Sequence, residues 1–93
     1  MTAGAPDLVT RIRDRLNALE AESMELFDES GSHIGHAGYR EGGSHFRVEI
    51  VARGFEGKST VARHRMIYQA LGPLMHDEIH ALAISARTPD EAT

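Results

Sequence analysis

Between His45 and Arg53 the apolar residues Phe46, Val48, Ile50 and Ala52 alternate with His45, Arg47, Glu49 and Val51. Side chains alternate across a β-strand with a period of two, so this segment reads as a strand with one face buried and the other turned to water. Such a strand needs a paired neighbour and an apolar layer over its buried face, and both must come from within 93 residues. A chain of that length supports one domain and buries only roughly 60 to 65% of its unfolded surface, so its core is thin.

The flanking segments supply the missing parts. Leu8, Val9, Ile12, Leu16 and Leu19 recur at helical spacing among Arg11, Arg13, Asp14 and Arg15, which predicts an amphipathic helix over residues 7–21. Pro6 and Asp7 suit its first turn. Residues 23–29 read as a short strand, and residues 30–44, with five glycines and little apolar content, read as a long loop. Ser59 or Thr60 caps a second helix whose stripe is Met66, Ile67, Ala70, Leu71 and Leu74, interrupted at Gly72-Pro73. Residues 79–87 form a third strand, on which His80 shares a face with Leu82 and Ile84, and residues 88–93 read as a frayed tail. The order is α-β-β-α-β, an α+β domain spanning 1–93 with its core over about 7–88. Strands one and two pair antiparallel, and the second helix returns the chain to the third strand.

Composition limits the chemistry. The chain has six histidines and no cysteine, so there is no disulfide, thiolate metal site or thiol nucleophile, and any metal must be held by imidazole or carboxylate. Its net charge of −4 opposes nonspecific attraction to a polyanion. No apolar run approaches the roughly 20 residues that span a bilayer, and residues 1–7 lack a signal pattern, so the cytoplasm is the expected compartment.

Three motifs carry possible chemistry. Ala52 to Ser59 (ARGFEGKS) resembles a phosphate-binding loop, yet its first position is Ala and Glu56 brings a carboxylate towards the phosphates. The third strand, residues 79–87, ends without an acid to hold magnesium, so a tight turn before a capped helix is the expectation. The same stretch fits the GxxG clamp of KH domains, and Arg47, Arg53, Lys58, Arg63 and Arg65 gather around it, with Glu20, Glu22, Glu25, Asp28 and Glu29 forming an acidic face elsewhere. A hydrolytic triad fails because no glycine-flanked nucleophile elbow is present. The third motif is the histidine set: His33 and His36 in the glycine-rich loop, His45 opening the second strand, His64 between two arginines, His76 beside an acid pair, and His80. A flexible loop can bring one imidazole to another held by a strand, which suits borderline metals. His64 reads as a hydrogen-bonding group and His76 as solvated.

Taken together, these segments resemble a known family. Asp28-Glu29-Ser30 with His33, Ser44 to Val48, Phe55 to Ser59, Arg63 to Arg65 with Tyr68, and Ile79 to Ile84 occur in an order that closely resembles the BolA family, from about Leu8 to Pro89. Residues 32–36 look like the histidine-loop branch, as in bacterial BolA-like proteins, rather than the cysteine-loop branch. The resemblance implies a KH-like fold with a three-stranded mixed sheet packed against helices. It also implies a non-enzymatic role in iron-sulfur trafficking or iron sensing, through a heterodimer with a monothiol glutaredoxin and a bridging 2Fe-2S cluster shared with glutathione. The ligands carried over are His80 and a loop histidine, His33 or alternatively His36, with His45 a further candidate. Because the bacterial family is linked to transcriptional control of stress response and cell morphology, the resemblance also implies a second reading. In it Arg53, Lys58, Arg63 and Arg65 contact DNA.

The donor chemistry agrees with the implied cluster. A 2Fe-2S cluster usually takes four thiolates. Here one cysteine from glutaredoxin and one thiol from glutathione leave two positions for His80 and a second imidazole. Two neutral imidazoles raise the cluster's potential, as in Rieske centres, and make its retention sensitive to acid.

Overall fold

The computed structural model describes residues 7–29 and 45–93; the glycine-rich segment with His33 and His36 lies outside them. Helix α1 (Leu8–Leu16) begins at Asp7, whose Oδ1 accepts a hydrogen bond of 2.8 Å from the Thr10 amide and thereby satisfies one of the first-turn donors. It is shorter than the 7–21 expected from spacing. A 3-10 turn (Asn17–Leu19) takes over and Glu20, at φ 54°, closes it in the left-handed region. Arg13 and Arg15 lie in the last helical turn, where cations complement the helix dipole.

Strands β1 (Ser23–Asp28), β2 (His45–Val51) and β3 (Ala81–Arg87) form one sheet in the order β1-β2-β3. β1 pairs antiparallel with β2, and β3 pairs parallel with it, as the connections require. The register aligns Met24, Ile50 and Ala86 in one row and Leu26, Val48 and Ile84 in the next. Phe46, Val48 and Ile50 are buried whereas His45, Arg47, Glu49 and Val51 are half-buried, the alternation read from sequence. Ile12 and Leu16 of α1 and Ile67 and Leu71 of helix α2 (Thr60–Leu71) complete the core with Ala52, Phe55, Leu74 and Ile79.

Helix α2 starts at Ser59, whose Oγ accepts from the Ala62 amide. Of the two expected cap residues, Ser59 rather than Thr60 takes the role. Gly72, at φ 55°, ends the helix, and Pro73 opens the short helix α3 (Pro73–Asp77). A side chain at Gly72 would be strained by that φ and would also meet Arg15 Nη1 at 3.2 Å.

Two expectations are corrected. The third strand starts at Ala81, not at residue 79. The Ile79 amide donates to the Leu74 carbonyl at 2.9 Å, which closes α3 and withholds that group from the sheet ladder. Residues 88–93 are not frayed. Thr88 is buried and caps helix α4 (Pro89–Ala92) with a reciprocal capping box, the Thr88 hydroxyl accepting from the Glu91 amide while Glu91 accepts from the Thr88 amide. No helix among the described residues is long and apolar enough to cross a membrane.

Candidate metal centre and cationic face

His45 and His80 meet at one end of the sheet. His45 is the first residue of β2, in register with Ala81, and its carbonyl accepts from the Glu29 amide at 2.8 Å, so its backbone is tied to both neighbouring strands. His80 sits in the bend between buried Ile79 and Ala81, and it is exposed. Their rings stack with centroids 5.1 Å apart and planes at 27°. The position of His80 departs from the expected strand geometry, because Leu82 and Ile84 are partly buried while His80 lies in water ahead of the strand. The bend frees its ring to reach His45.

The pair sets two imidazoles side by side at this end of the sheet. Among the described residues no group of three or more His, Cys, Asp or Glu side chains forms a complete metal cage, so further ligands must come from elsewhere. His33 and His36 lie outside the described residues, on the segment that leads directly into His45. The other two histidines stand apart. His76 is exposed, its Nδ1 2.7 Å from Asp77 Oδ1, and that carboxylate raises its pKa. His64, expected to be a hydrogen-bonding group, is half-buried on α2 and makes no side-chain hydrogen bond among the described residues.

The basic cluster is largely neutralised. Arg63 donates to Glu91 through both terminal nitrogens at 2.6 and 3.1 Å, and it also donates to the Ala86 and Lys58 carbonyls. Its guanidinium lies 6.0 Å from the centre of the Phe55 ring, and its side chain is only 12% exposed. Arg53 pairs with Glu22 at 2.8 Å. Arg47 pairs with Glu29 and Glu49 and covers the Phe27 ring at 4.4 Å. Two acids of the expected acidic face are thus drawn to the arginines: antiparallel pairing of β1 with β2 sets Glu22 beside Arg53 and Glu29 beside Arg47. Lys58 and Arg65 are exposed and form no ion pair among the described residues.

Within the ARGFEGKS stretch, Arg53–Phe55 forms a 3-10 turn and Phe55 is fully buried. Gly57 takes φ 74°, and Ser59 spends its hydroxyl on the cap, so the stretch is the tight turn before a capped helix that the sequence suggested. The residues that sequence reasoning missed are Thr88 and Glu91. Their signal was present, since Thr88-Pro89-Asp90-Glu91 has a cap residue, proline at the first helical position and glutamate three residues after the cap.

Known proteins share both sequence and architecture with this chain. The family model described as BolA-like protein matches residues 16–91. BolA-like protein 1 of Mus musculus is 43% identical over 89 residues, covering 95% of this chain and 63% of that protein. Protein BOLA1, chloroplastic, of Arabidopsis thaliana is 39% identical over 87 residues, covering 89% of this chain and 54% of that protein. This chain thus spans less than two thirds of the length of either relative. Among solved structures, BolA1 from Arabidopsis thaliana superposes with a TM-score of 0.80 at 33% identity, covering 96% of this chain and all of that one. The BolA domain of SufE1 from the same plant does so with a TM-score of 0.76 at 40% identity, covering 94% and 99% of the two chains. With the ordered motifs, the mixed sheet and the family match in agreement, the chain belongs to the BolA-like protein family.

Proposed function

We propose that this chain is a non-enzymatic adaptor that donates imidazole ligands to a 2Fe-2S cluster shared with a monothiol glutaredoxin and glutathione, in iron-sulfur trafficking or iron sensing. The observation that supports the reading is the His45–His80 pair, two imidazoles with centroids 5.1 Å apart in a chain that has no thiol to offer. The cluster is cargo, and mixed imidazole and thiolate ligation suits it, as the Rieske donor set illustrates. His80 contributes one imidazole, its direction set by buried Ile79 behind it and by β3 ahead. The second comes from His45 or from His33 or His36 on the adjoining segment. The proposed compartment is the cytoplasm, where thiols such as glutathione stay reduced.

Mixing the chain with cluster-loaded monothiol glutaredoxin and following visible absorption and circular dichroism tests the proposal. A heterodimer with an altered visible spectrum is expected. His80→Ala should weaken that change most, single substitutions at His33, His36 and His45 should identify the second ligand, and His76→Ala should be silent. An unchanged spectrum with no heterodimer rejects the reading, and an equal effect at all six histidines would signal general destabilisation instead.

The second reading, a DNA-binding regulator, is supported by Lys58 and Arg65, exposed and without an ion pair among the described residues. Arg53 and Arg63 are engaged by Glu22 and Glu91, so this surface brings two uncompensated cations to a duplex. Binding through two phosphates has a log–log salt slope of only about −2. DNA binding with that slope, lost in the double variant Lys58→Ala with Arg65→Ala, would favour this reading over the first.

A further inference from the structure

We infer that the outward face of α2 is a docking surface for an acidic amphipathic helix of a partner protein. Among the described residues, the large hydrophobic side chains left exposed are Val61, at 60%, and Tyr68, at 40%. Both stand on α2, seven residues apart. At 3.6 residues per turn and 1.5 Å per residue they lie about 20° apart around the helix and about 10 Å apart along it, so they form one stripe. Arg65 falls between them and is exposed as well. The helix reaches the core through Ile67 and Leu71 instead, so the packing of the domain makes no use of this stripe.

Charge selects the occupant. Helix α2 contains no aspartate or glutamate, and Glu91, which reaches it from α4, is taken by Arg63. Arg65, and Lys58 just ahead of the Ser59 cap, form no ion pair among the described residues, so the apolar stripe is flanked by positive charge that calls for carboxylates. A second copy of the chain does not fit. Setting Val61 of one copy against Tyr68 of the other brings the two Arg65 side chains together at the centre, where like charges repel. A DNA duplex would meet the cations but gain nothing from Val61, because phosphates are contacted by charged and polar groups. A helix with apolar residues on successive turns and acids along its flanks meets the whole face: its apolar row packs along the stripe while its carboxylates take Arg65 and Lys58. Tyrosine and arginine are the side chains that most often anchor such contacts, and the Tyr68 hydroxyl makes no hydrogen bond among the described residues. A patch of this size belongs with transient contacts that bury less than about 1,200 Å².

The inference rests on neither reading given above. It shares Lys58 and Arg65 with the DNA reading, and Val61 and Tyr68 tell the two apart. The test titrates the isotope-labelled full chain, followed by NMR, with a synthetic helical peptide of about four turns that carries leucine on one face and glutamate along both flanks. A second peptide has lysine in place of every glutamate. Saturable shifts of the Val61, Arg65 and Tyr68 amides are expected with the glutamate peptide. Affinity should fall at least about tenfold for the lysine peptide and, with the glutamate peptide, for Tyr68→Ala and for Arg65→Glu. Arg87→Glu should bind as the wild type does, because Arg87 is exposed on the sheet face turned away from the helices. All three substituted positions are exposed, and amide spectra establish that each variant is folded. Absence of saturable binding, equal affinity for the two peptides, or full affinity in folded Tyr68→Ala or Arg65→Glu overturns the inference. Binding of a DNA duplex that survives Tyr68→Ala, with no binding of the glutamate peptide, keeps the DNA reading and removes the docking surface alone. Peptide binding with no binding of the duplex removes the DNA reading alone.

Discussion

Replacing Phe55 with alanine separates a structural loop from a nucleic-acid clamp. Phe55 is fully buried and lies in the same core as Ile12, Leu16, Ile67 and Leu71, with the Arg63 guanidinium 6.0 Å from its ring centre. Removing the ring forfeits its transfer free energy and leaves a cavity under the turn, and such Phe→Ala changes in cores cost about 3–5 kcal/mol. A domain of this size has a total stability of roughly 5–14 kcal/mol, so the change takes a large share of it. With a urea m-value of about 1.5 kcal/mol/M, the unfolding midpoint should fall by about 2–3 M. Urea titration followed by far-UV circular dichroism measures this directly. A clamp in which the phenyl ring stacks on a base predicts the reverse: stability barely altered and nucleic-acid binding lost. A midpoint shift under about 0.5 M would refute the assignment of Phe55 to the core.

Three further outcomes follow from the same geometry. Thr88→Ala removes the buried hydroxyl that accepts from the Glu91 amide and should lower stability by about 1 kcal/mol, read as a lower urea midpoint; an unchanged midpoint would mean α4 contributes nothing. Arg63, aided by the Thr88 amide, holds the Glu91 carboxyl at about 2 against its ordinary 4.5. Its folded value is the lower one, so as acid is added the unfolded chain takes up the proton first, and the stability due to Glu91 is complete above pH 4.5 and lost as pH falls towards 2. The urea midpoints of the wild type and Glu91→Gln should therefore differ at neutral pH and converge through that window, and a gap that persists unchanged to the acid end would contradict the pairing. Gly57 sits at φ 74° with nothing within 4 Å of an added Cβ, so Gly57→Ala should cost only backbone strain, about 1–2 kcal/mol, again measured by urea unfolding.

The readable parts of the fold were those carried by local periodicity and punctuation. The β2 alternation, the α2 stripe and the Gly72-Pro73 break all lie within a few residues of their cause, and the structure reproduces each of them. The start of β3 was misread because Ile79 is apolar and fits a strand pattern, while its amide is claimed by Leu74 through a helix closure that no periodicity records. The tail was misread for a different reason. Its capping box is visible in sequence, yet four helical residues are too few to be stable alone, and they hold because Arg63, distant in sequence, binds Glu91.

The candidate site divides the same way. Sequence alone determined that no thiol is available, that imidazole is the donor chemistry on offer, and that the order of motifs belongs to one family. It ranked His80 first and placed His45 last among the candidate ligands. Only the tertiary structure decided that His45 and His80 are neighbours, because residues 35 positions apart meet through the parallel register of β2 with β3. It likewise decided that the arginines around the turn are mostly engaged, since β1 brings Glu22 and Glu29 across to Arg53 and Arg47 and α4 brings Glu91 to Arg63. Residue type and spacing fix which groups a chain can offer. Which groups remain available is fixed by long-range pairing, where a charge that looks free along the chain meets its counterion across a strand.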